Sequence, residues 1–182
     1  MGTTSHFIDG ERVFLREIRE EDLNGRYYAW MNDREINRHM ETRFFPQGKA
    51  ALGEYMKVHL NKPNVPWFAI CLQQNDAHIG NIKLGPINFY HRTADVSYFI
   101  GEKECWGKGY ATEAIGLVVW FAFEVLGLCK LSAGTYANNV GSQKALQNNR
   151  FAREGVLRKQ VILEGGQRED VFKFGLLQEE YV

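Results

Sequence analysis

Apolar and polar positions along the chain change their period several times, and each change predicts an element. Glu11-Arg12-Val13-Phe14-Leu15-Arg16-Glu17-Ile18 reads as a first strand. Leu23, Tyr27, Trp30 and Met31 then fall near one stripe, which predicts a helix over residues 21–32. Asp33 is placed to cap a short turn of helix running to His39. Residues 41–47 look like a loop carrying Phe44-Phe45-Pro46. Leu52, Tyr55, Met56 and His59 recur at helical spacing within Lys49–Leu60, and Asn61-Lys62-Pro63-Asn64 ends that run. A strand-rich centre follows: Trp67–Leu72 is apolar and strand-length, Gln74-Asn75-Asp76 reads as a hairpin turn, and His78–Leu84 alternates. In residues 94–100, Val96, Tyr98 and Ile100 fall on one face and Asp95, Ser97 and Phe99 on the other. Residues 110–126 are apolar nearly all round, which predicts a helix buried on more than one side, with Gly127 as its C-cap. A strand at Lys130–Tyr136, a short helix at residues 142–148 and strands at 153–161 and 170–177 complete the chain. The order implies a mixed α/β sheet with helices on its faces, without repeats or a linker to a second domain.

Composition narrows the function little but excludes some classes. The chain has 182 residues, 45% hydrophobic and 24% charged, with 22 Lys plus Arg against 22 Asp plus Glu. A formal net charge of zero offers no electrostatic case for nucleic acid or an anionic membrane as partner. Cys71, Cys105 and Cys129 are too few and scattered for a disulfide framework, so reduced thiols are expected, Cys105 being of interest for its place beside a glycine loop. The N-terminal stretch carries Asp9, Glu11, Arg12 and Arg16, which is no secretory signal, and the longest apolar run is too short to span a bilayer. The expected location is cytoplasmic. No HxxxH or HxH spacing relates His6, His39, His59, His78 and His91, so no metal is expected.

The chemistry concentrates between the strand ending at Ile100 and the helix starting at Tyr110. Gly107 and Gly109 let backbone approach a ligand closely, and the helix start offers free N–H groups at a positive dipole end, a suitable seat for phosphate. The loop is not GxxxxGK[ST], and Thr112 stands where a dinucleotide fingerprint needs a third small residue, so ATP, GTP and NAD fit poorly.

Gly101-Glu102-Lys103-Glu104-Cys105-Trp106-Gly107-Lys108-Gly109-Tyr110-Ala111-Thr112-Glu113-Ala114 resembles the acetyl-CoA motif of the GNAT superfamily of N-acetyltransferases. Asn138-Asn139-Val140-Gly141-Ser142-Gln143-Lys144-Ala145-Leu146, ending in Phe151, resembles its second motif. Both stand in the family's order, and the resemblance runs from Val13 to Leu177. It is nearest the branch containing bacterial ribosomal-protein N-terminal, spermidine and amino-sugar acetyltransferases. It implies a single domain over residues 1–182, with a central, mixed, mostly antiparallel twisted sheet, splayed between its fourth and fifth strands and covered by helices on both faces. It implies acetyl-CoA as co-substrate and no metal. Phe99 and Ile100 would pair with the pantetheine arm. Trp106, Gly107, Lys108, Gly109, Tyr110, Ala111 and Thr112 would wrap the pyrophosphate. Asn139 and Ser142 would bond the arm near the thioester. Trp106 replaces a frequent Gln or Arg, and Arg150 replaces a glycine before the Phe. Leu146 stands where many members carry a tyrosine that protonates the leaving thiolate.

Acetyl transfer to an amine requires positioning, removal of one proton, and stabilisation of an oxyanion and then a thiolate. A backbone N–H near Phe99 or Ile100 suits the oxyanion. Asp95, on the face of Ser97 and Phe99, is the candidate base, working through water. Ser142 and Tyr136 are the candidate acids, each with a plainer role open to it as a helix cap or a core aromatic. Trp30, Arg38, Glu41, Arg43 and Asn81 are candidate acceptor-binding residues. An arginine facing the cleft would suit a phosphorylated acceptor. Polyamines would require an acidic cleft, for which Glu17, Glu20, Glu21, Asp22, Asp33 and Glu35 are available. The expectation is an N-acetyltransferase acting on a small amine such as an amino sugar. Protein N-termini or polyamines are the alternative acceptors, and a non-catalytic acyl-CoA-binding module is the alternative of another class. The expected partners are thus a small-molecule amine or a peptide N-terminus, with neither nucleic acid nor membrane, and the chain is a monomer or homodimer.

Overall fold

β-branched and aromatic residues alternating with polar ones build a single eight-stranded sheet in the order β1-β2-β3-β4-β5-β6-β8-β7 among the described residues, 6–60 and 62–181, of the computed structural model. The strands are Ile8–Asp9 (β1), Val13–Glu17 (β2), Trp67–Leu72 (β3), His78–Leu84 (β4), Thr93–Ile100 (β5), Lys130–Tyr136 (β6), Ala152–Ile162 (β7) and Arg168–Leu177 (β8). Every neighbouring pair is antiparallel except β5 and β6, which are parallel. The unexpected β1 adds one to the strand count. The splay therefore lies between the fifth and sixth strands, although the residues on either side of it are those anticipated.

Helices cover both faces. Glu20–Asp22 (α1) and Tyr28–Asn32 (α2) are joined by a π-helical turn, Leu23–Tyr27, where one continuous helix was expected. Gly25, whose backbone leaves helical values there, permits the irregularity. Asp33 accepts bonds from the amides of Glu35 (2.9 Å) and Ile36 (3.2 Å), as a cap does, but only turns follow it. Residues 41–47 are not all loop, since Glu41–Phe44 forms a 3-10 turn. Lys49–Leu60 (α3) has the bounds its pattern suggested; of the residues expected to end it, Asn61 lies outside the described ones. Tyr110–Trp120 (α4) widens into a second π-helical turn, Phe121–Val125, which turns the consecutive residues Phe121, Ala122 and Phe123 all toward the interior. Val140–Asn148 (α5) starts two residues earlier than expected, because Asn139 and not Ser142 is its cap.

The strand alternation sorts the core into two clusters. Val13, Leu15, Ile70, Ile82, Val96 and their neighbours face α4 and α5. Phe14, Trp67, Ala69 and Cys71 face Tyr27, Trp30, Met31, Leu52 and Met56 from α2, α3 and the turn before α2. Tyr98 and Ile100 pack with the first cluster and Phe99 with the second, so successive β5 side chains reach opposite sides of the sheet.

Candidate active site

The site begins where the sheet comes apart. β5 and β6 pair only at Thr93↔Lys130, Ala94↔Leu131 and Asp95↔Ser132. Beyond these, β5 runs on to Ile100 beside β4, and β6 runs on to Tyr136 beside β8. The gap between them opens into two cavities, one on each side of the sheet.

The larger, about 890 Å³, lies between the glycine loop and the start of α5. Ile100, Trp106, Gly107, Gly109, Tyr110, Ala111 and Thr112 line one wall, and Asn139, Val140 and Ser142 the other. Gly107 (φ 72°) and Gly109 (φ 83°) both hold left-handed backbone, and nothing lies within 4 Å of where a side chain on Gly107 would begin. The first bond of α4 runs from Glu113 N to Gly109 O (3.0 Å), so the amides of Tyr110, Ala111 and Thr112 have no partner within the helix. Trp106 closes the turn by donating from its indole to Ile100 O (2.8 Å).

Arg12, a residue the motif did not suggest, braces this loop from β2's end. Its guanidinium donates to Lys108 O (2.9 Å) and Glu113 Oε2 (2.9 Å) and lies 5.2 Å over the Tyr110 ring. Glu113 also accepts from the amides of Arg12 (2.7 Å) and Val13 (3.1 Å). Burial pushes the Glu113 carboxyl up, but these amides and the guanidinium outweigh it and leave it below the usual range. The Lys108 side chain is exposed and lies outside the cavity wall. Across the cleft, Asn139 caps α5 by accepting from Ser142 N (3.3 Å).

The smaller cavity, about 450 Å³, lies between the sheet and α3. Its floor is Asn81, Lys83, Ser97 and Phe99, and Tyr27, Met31, Leu52 and Tyr55 cover it. Six residues line both cavities: His39, Met40, Tyr98, Phe99, Gly134 and Ser142. At this junction the Tyr98 hydroxyl lies 2.8 Å from Ser142 Oγ and donates to Ser142 O (3.0 Å). Burial pushes the Tyr98 phenol up to about 12 against the opposing Ser142 bond, so it keeps its proton at neutral pH. His39 is half-buried, edge-on to Tyr136, and burial followed by the Arg38 charge holds its imidazole below the ordinary value. It is therefore neutral at pH 7.

The other candidates are distributed unevenly. Asn81 is buried in the floor of the smaller cavity: its Oδ1 lies 2.6 Å from His78 Nε2, and its Nδ2 has no partner. Arg38 and Glu41 line the larger cavity, Arg38 stacking 6.0 Å from Trp106. Tyr136 lines it too, but its hydroxyl donates to Glu41 (3.1 Å) and accepts from Arg43 (3.0 Å), tying the 41–44 turn to the sheet. Arg43 also donates to Met40 O and Ile162 O and lines neither cavity. Trp30 is core: its indole donates to Glu102 (2.8 Å), and a side chain on Gly101 would run into its ring at 2.1 Å. Asp95 shares the face of Ser97 and Phe99, but it is exposed at the closed end of the splay, away from both cavity walls. Leu146 is fully buried and likewise lines neither cavity. Arg150 takes the left-handed conformation (φ 65°) that a glycine would adopt there. Cys105 lines the larger cavity, where burial pushes its thiol up, away from a reactive thiolate. Among the described residues no cluster of His, Cys, Asp or Glu could hold a metal ion, and no helix is long and apolar enough to cross a membrane.

Two cavities thus share one wall through a gap in the sheet. Residues 12–152 match the acetyltransferase (GNAT) domain, and the chain belongs to that family. Its relatives are N-acetyltransferases. The uncharacterized N-acetyltransferase YoaA of Bacillus subtilis is 28% identical over 163 residues, 87% of this chain and 89% of that protein. The uncharacterized N-acetyltransferase p20 of Bacillus licheniformis is 28% identical over 173 residues, 94% and 96% of the two chains. Among solved structures, spermidine N-acetyltransferase from Vibrio cholerae in complex with CoA and spermine superimposes with a TM-score of 0.84. It is 25% identical, and the match covers 93% of this chain and 98% of that one. The chain is thus an N-acetyltransferase with an α/β GNAT fold.

Proposed function

We propose that the larger cavity holds acetyl-CoA, that the smaller holds a small primary amine, and that the acetyl group passes between them at the junction. The observation that carries this is the set of six residues common to both walls, with two hydroxyls and a neutral imidazole among them. The loop fits a pyrophosphate: left-handed glycines, an open space in front of Gly107, and free amides at the start of an eleven-residue helix. The coenzyme supplies an activated thioester, and the chain supplies position and proton transfer. In this reading His39 takes the proton from the attacking amine, in place of Asp95, because it faces both cavities unprotonated. Ser142 gives a proton to the departing thiolate and takes one from Tyr98. The phenol regains its proton from solvent and His39 releases the amine's proton to solvent, which closes the cycle and lets the pair compensate for the leucine at 146. The backbone N–H of Ile100, on the edge of β5 that β4 does not occupy, faces the developing charge on oxygen.

The acceptor reading favours a small amine over a polyamine. No carboxylate lines the smaller cavity among the described residues. Four of the six acids that could have served a polycation are engaged elsewhere: Asp22 by Arg16 (2.7 Å), Glu17 by Arg19 (2.7 Å), and Asp33 (3.0 Å) and Glu35 (2.7 Å) by Lys103; the other two, Glu20 and Glu21, line neither cavity. The Vibrio cholerae relative, solved with spermine, keeps the polyamine alternative worth testing. Release of free thiol from acetyl-CoA is followed over amino sugars, amino acids, polyamines and N-terminal peptides. Acceptor-dependent release with a small amine is expected, and Gly109→Trp should abolish it together with acetyl-CoA binding. Tight acetyl-CoA binding with no release for any acceptor would favour a binding module, and unchanged affinity in Gly109→Trp would refute the pyrophosphate assignment.

A further inference from the structure

The smaller cavity has a pronounced chemical asymmetry. At the gap it is uncharged: the hydroxyls of Tyr98 and Ser142, the His39 imidazole and the Asn81 amide. At its other end stands Lys83, the one lysine, arginine or carboxylate side chain in the wall among the described residues. Lys83 pairs with Ser97, whereas Asn81 pairs with Phe99, so Lys83 sits two residues along β4 from the junction. Two residues of strand span about 7 Å. Its ammonium group lies 4.9 Å from the Tyr55 ring and 5.1 Å from the Trp67 ring and donates to the Tyr55 hydroxyl. Those contacts hold it against the wall but occupy one of its three donors. No carboxylate forms an ion pair with it among the described residues. His59, ring-to-ring with Tyr55 at 3.9 Å, adds no negative charge to this end. Burial and then the charges of Lys83 and Lys62 depress its imidazole against the opposing Tyr55 bond.

We propose that Lys83 binds an anionic group on the acceptor, so that the substrate is a primary amine bearing a phosphate or carboxylate about 7 Å from the nitrogen. The inference rests on the smaller cavity being the acceptor site. A cation held on two aromatic faces with unused donors and no counter-ion is completed by an anion, whereas a second ammonium at that end would meet like charge. The Arg38 and Arg43 side chains, the more obvious cations in the sequence, lie outside this cavity.

Purified protein is assayed with acetyl-CoA and two matched pairs: glucosamine 6-phosphate beside glucosamine, and 4-aminobutyrate beside putrescine. The anionic member of at least one pair is expected to show the higher kcat/KM. Lys83→Gln should cut that ratio about 10- to 100-fold, the worth of one charge-assisted bond, mostly through KM. Lys83→Arg should restore most of it, and Lys83→Glu should turn the preference toward putrescine. The pair that responds distinguishes phosphate from carboxylate. A wild type that prefers glucosamine and putrescine, or a Lys83→Gln that lowers both members of each pair equally, would overturn the inference while leaving acetyl transfer standing. Absence of turnover with every amine in a protein that binds acetyl-CoA would overturn the transferase reading and this inference with it.

Discussion

At the scale of single residues, the chemistry proposed here rests on groups that meet only in three dimensions. His39 is the sharpest case. Burial and the neighbouring Arg38 charge both hold its pKa below 6.5, so the base is competent at neutral pH and is lost as pH falls through that lowered value. The rate is therefore expected to be flat near pH 7 and to drop on an acidic limb below 6.5. His39→Gln should lower kcat about 100-fold or more and erase the limb. Arg38→Gln should move the limb upward, and Tyr98→Phe should leave it in place while lowering turnover. A limb that survives in His39→Gln would remove His39 as the base. None of this could be read from spacing. His39 lies in an irregular turn, Tyr98 looked like any inward strand residue, and Lys83 looked like the wetted position of an alternating strand. Only the covering of that strand face by α3 places the lysine in a cavity. Asp95 shows the reverse: its face was read correctly, but its distance along the strand from the opening depends on where β5 and β6 stop pairing.

At the scale of elements, local patterns were far more informative. Lys49–Leu60, Trp67–Leu72, His78–Leu84 and Lys130–Tyr136 have the bounds their periodicity suggested. The glycine loop was legible because it is a short contiguous motif whose conformation its own residues dictate, whereas the cap of α5 was read at Ser142 and lies at Asn139. The two π-helical turns escaped, since a helical stripe reports the buried face and not a single wide turn within it. The bracing of the glycine loop escaped too, because Arg12 is nearly a hundred positions away from Lys108, with |i−j| of 96. Arg12→Ala removes the bonds to Lys108 O and Glu113 and frees the loop. Arg12 is about half exposed, so the fold should lose little. The KM for acetyl-CoA should rise about 3- to 10-fold, the worth of an ordinary hydrogen bond, with kcat nearly unchanged. Steady-state kinetics at varied acetyl-CoA would show this split, and an equal loss in kcat would mean that Arg12 acts on the reaction and not on the loop.

At the scale of the molecule, the mixed sheet with helices on its faces followed from the succession of elements and the splay from the family resemblance, but the insertion of β8 between β6 and β7 is a pairing that the succession alone does not dictate. The three-pair contact between β5 and β6 leaves the sheet as two halves, β1–β5 and β6–β8, joined by a short seam with α4 and α5 packed across it. A ligand bound to both walls of the larger cavity ties those halves together. Saturation with coenzyme A at about 100 times its dissociation constant should stabilise the fold by about 2.7 kcal/mol. For a chain of this size that is a rise in Tm of roughly 5–10 °C. A thermal melt with and without the coenzyme, repeated on Gly109→Trp, would show the shift and its loss; an equal shift in both proteins would place the ligand elsewhere.

The same gap has a signature in time. Beyond Asp95, the β5 amides that point toward β6 have no carbonyl across from them, although their neighbours are locked to β4. In deuterated water the unpaired edge should exchange quickly while the paired edge of the same strand exchanges slowly. One strand would therefore carry two clocks, and the arrival of the coenzyme would be recorded by the fast one slowing.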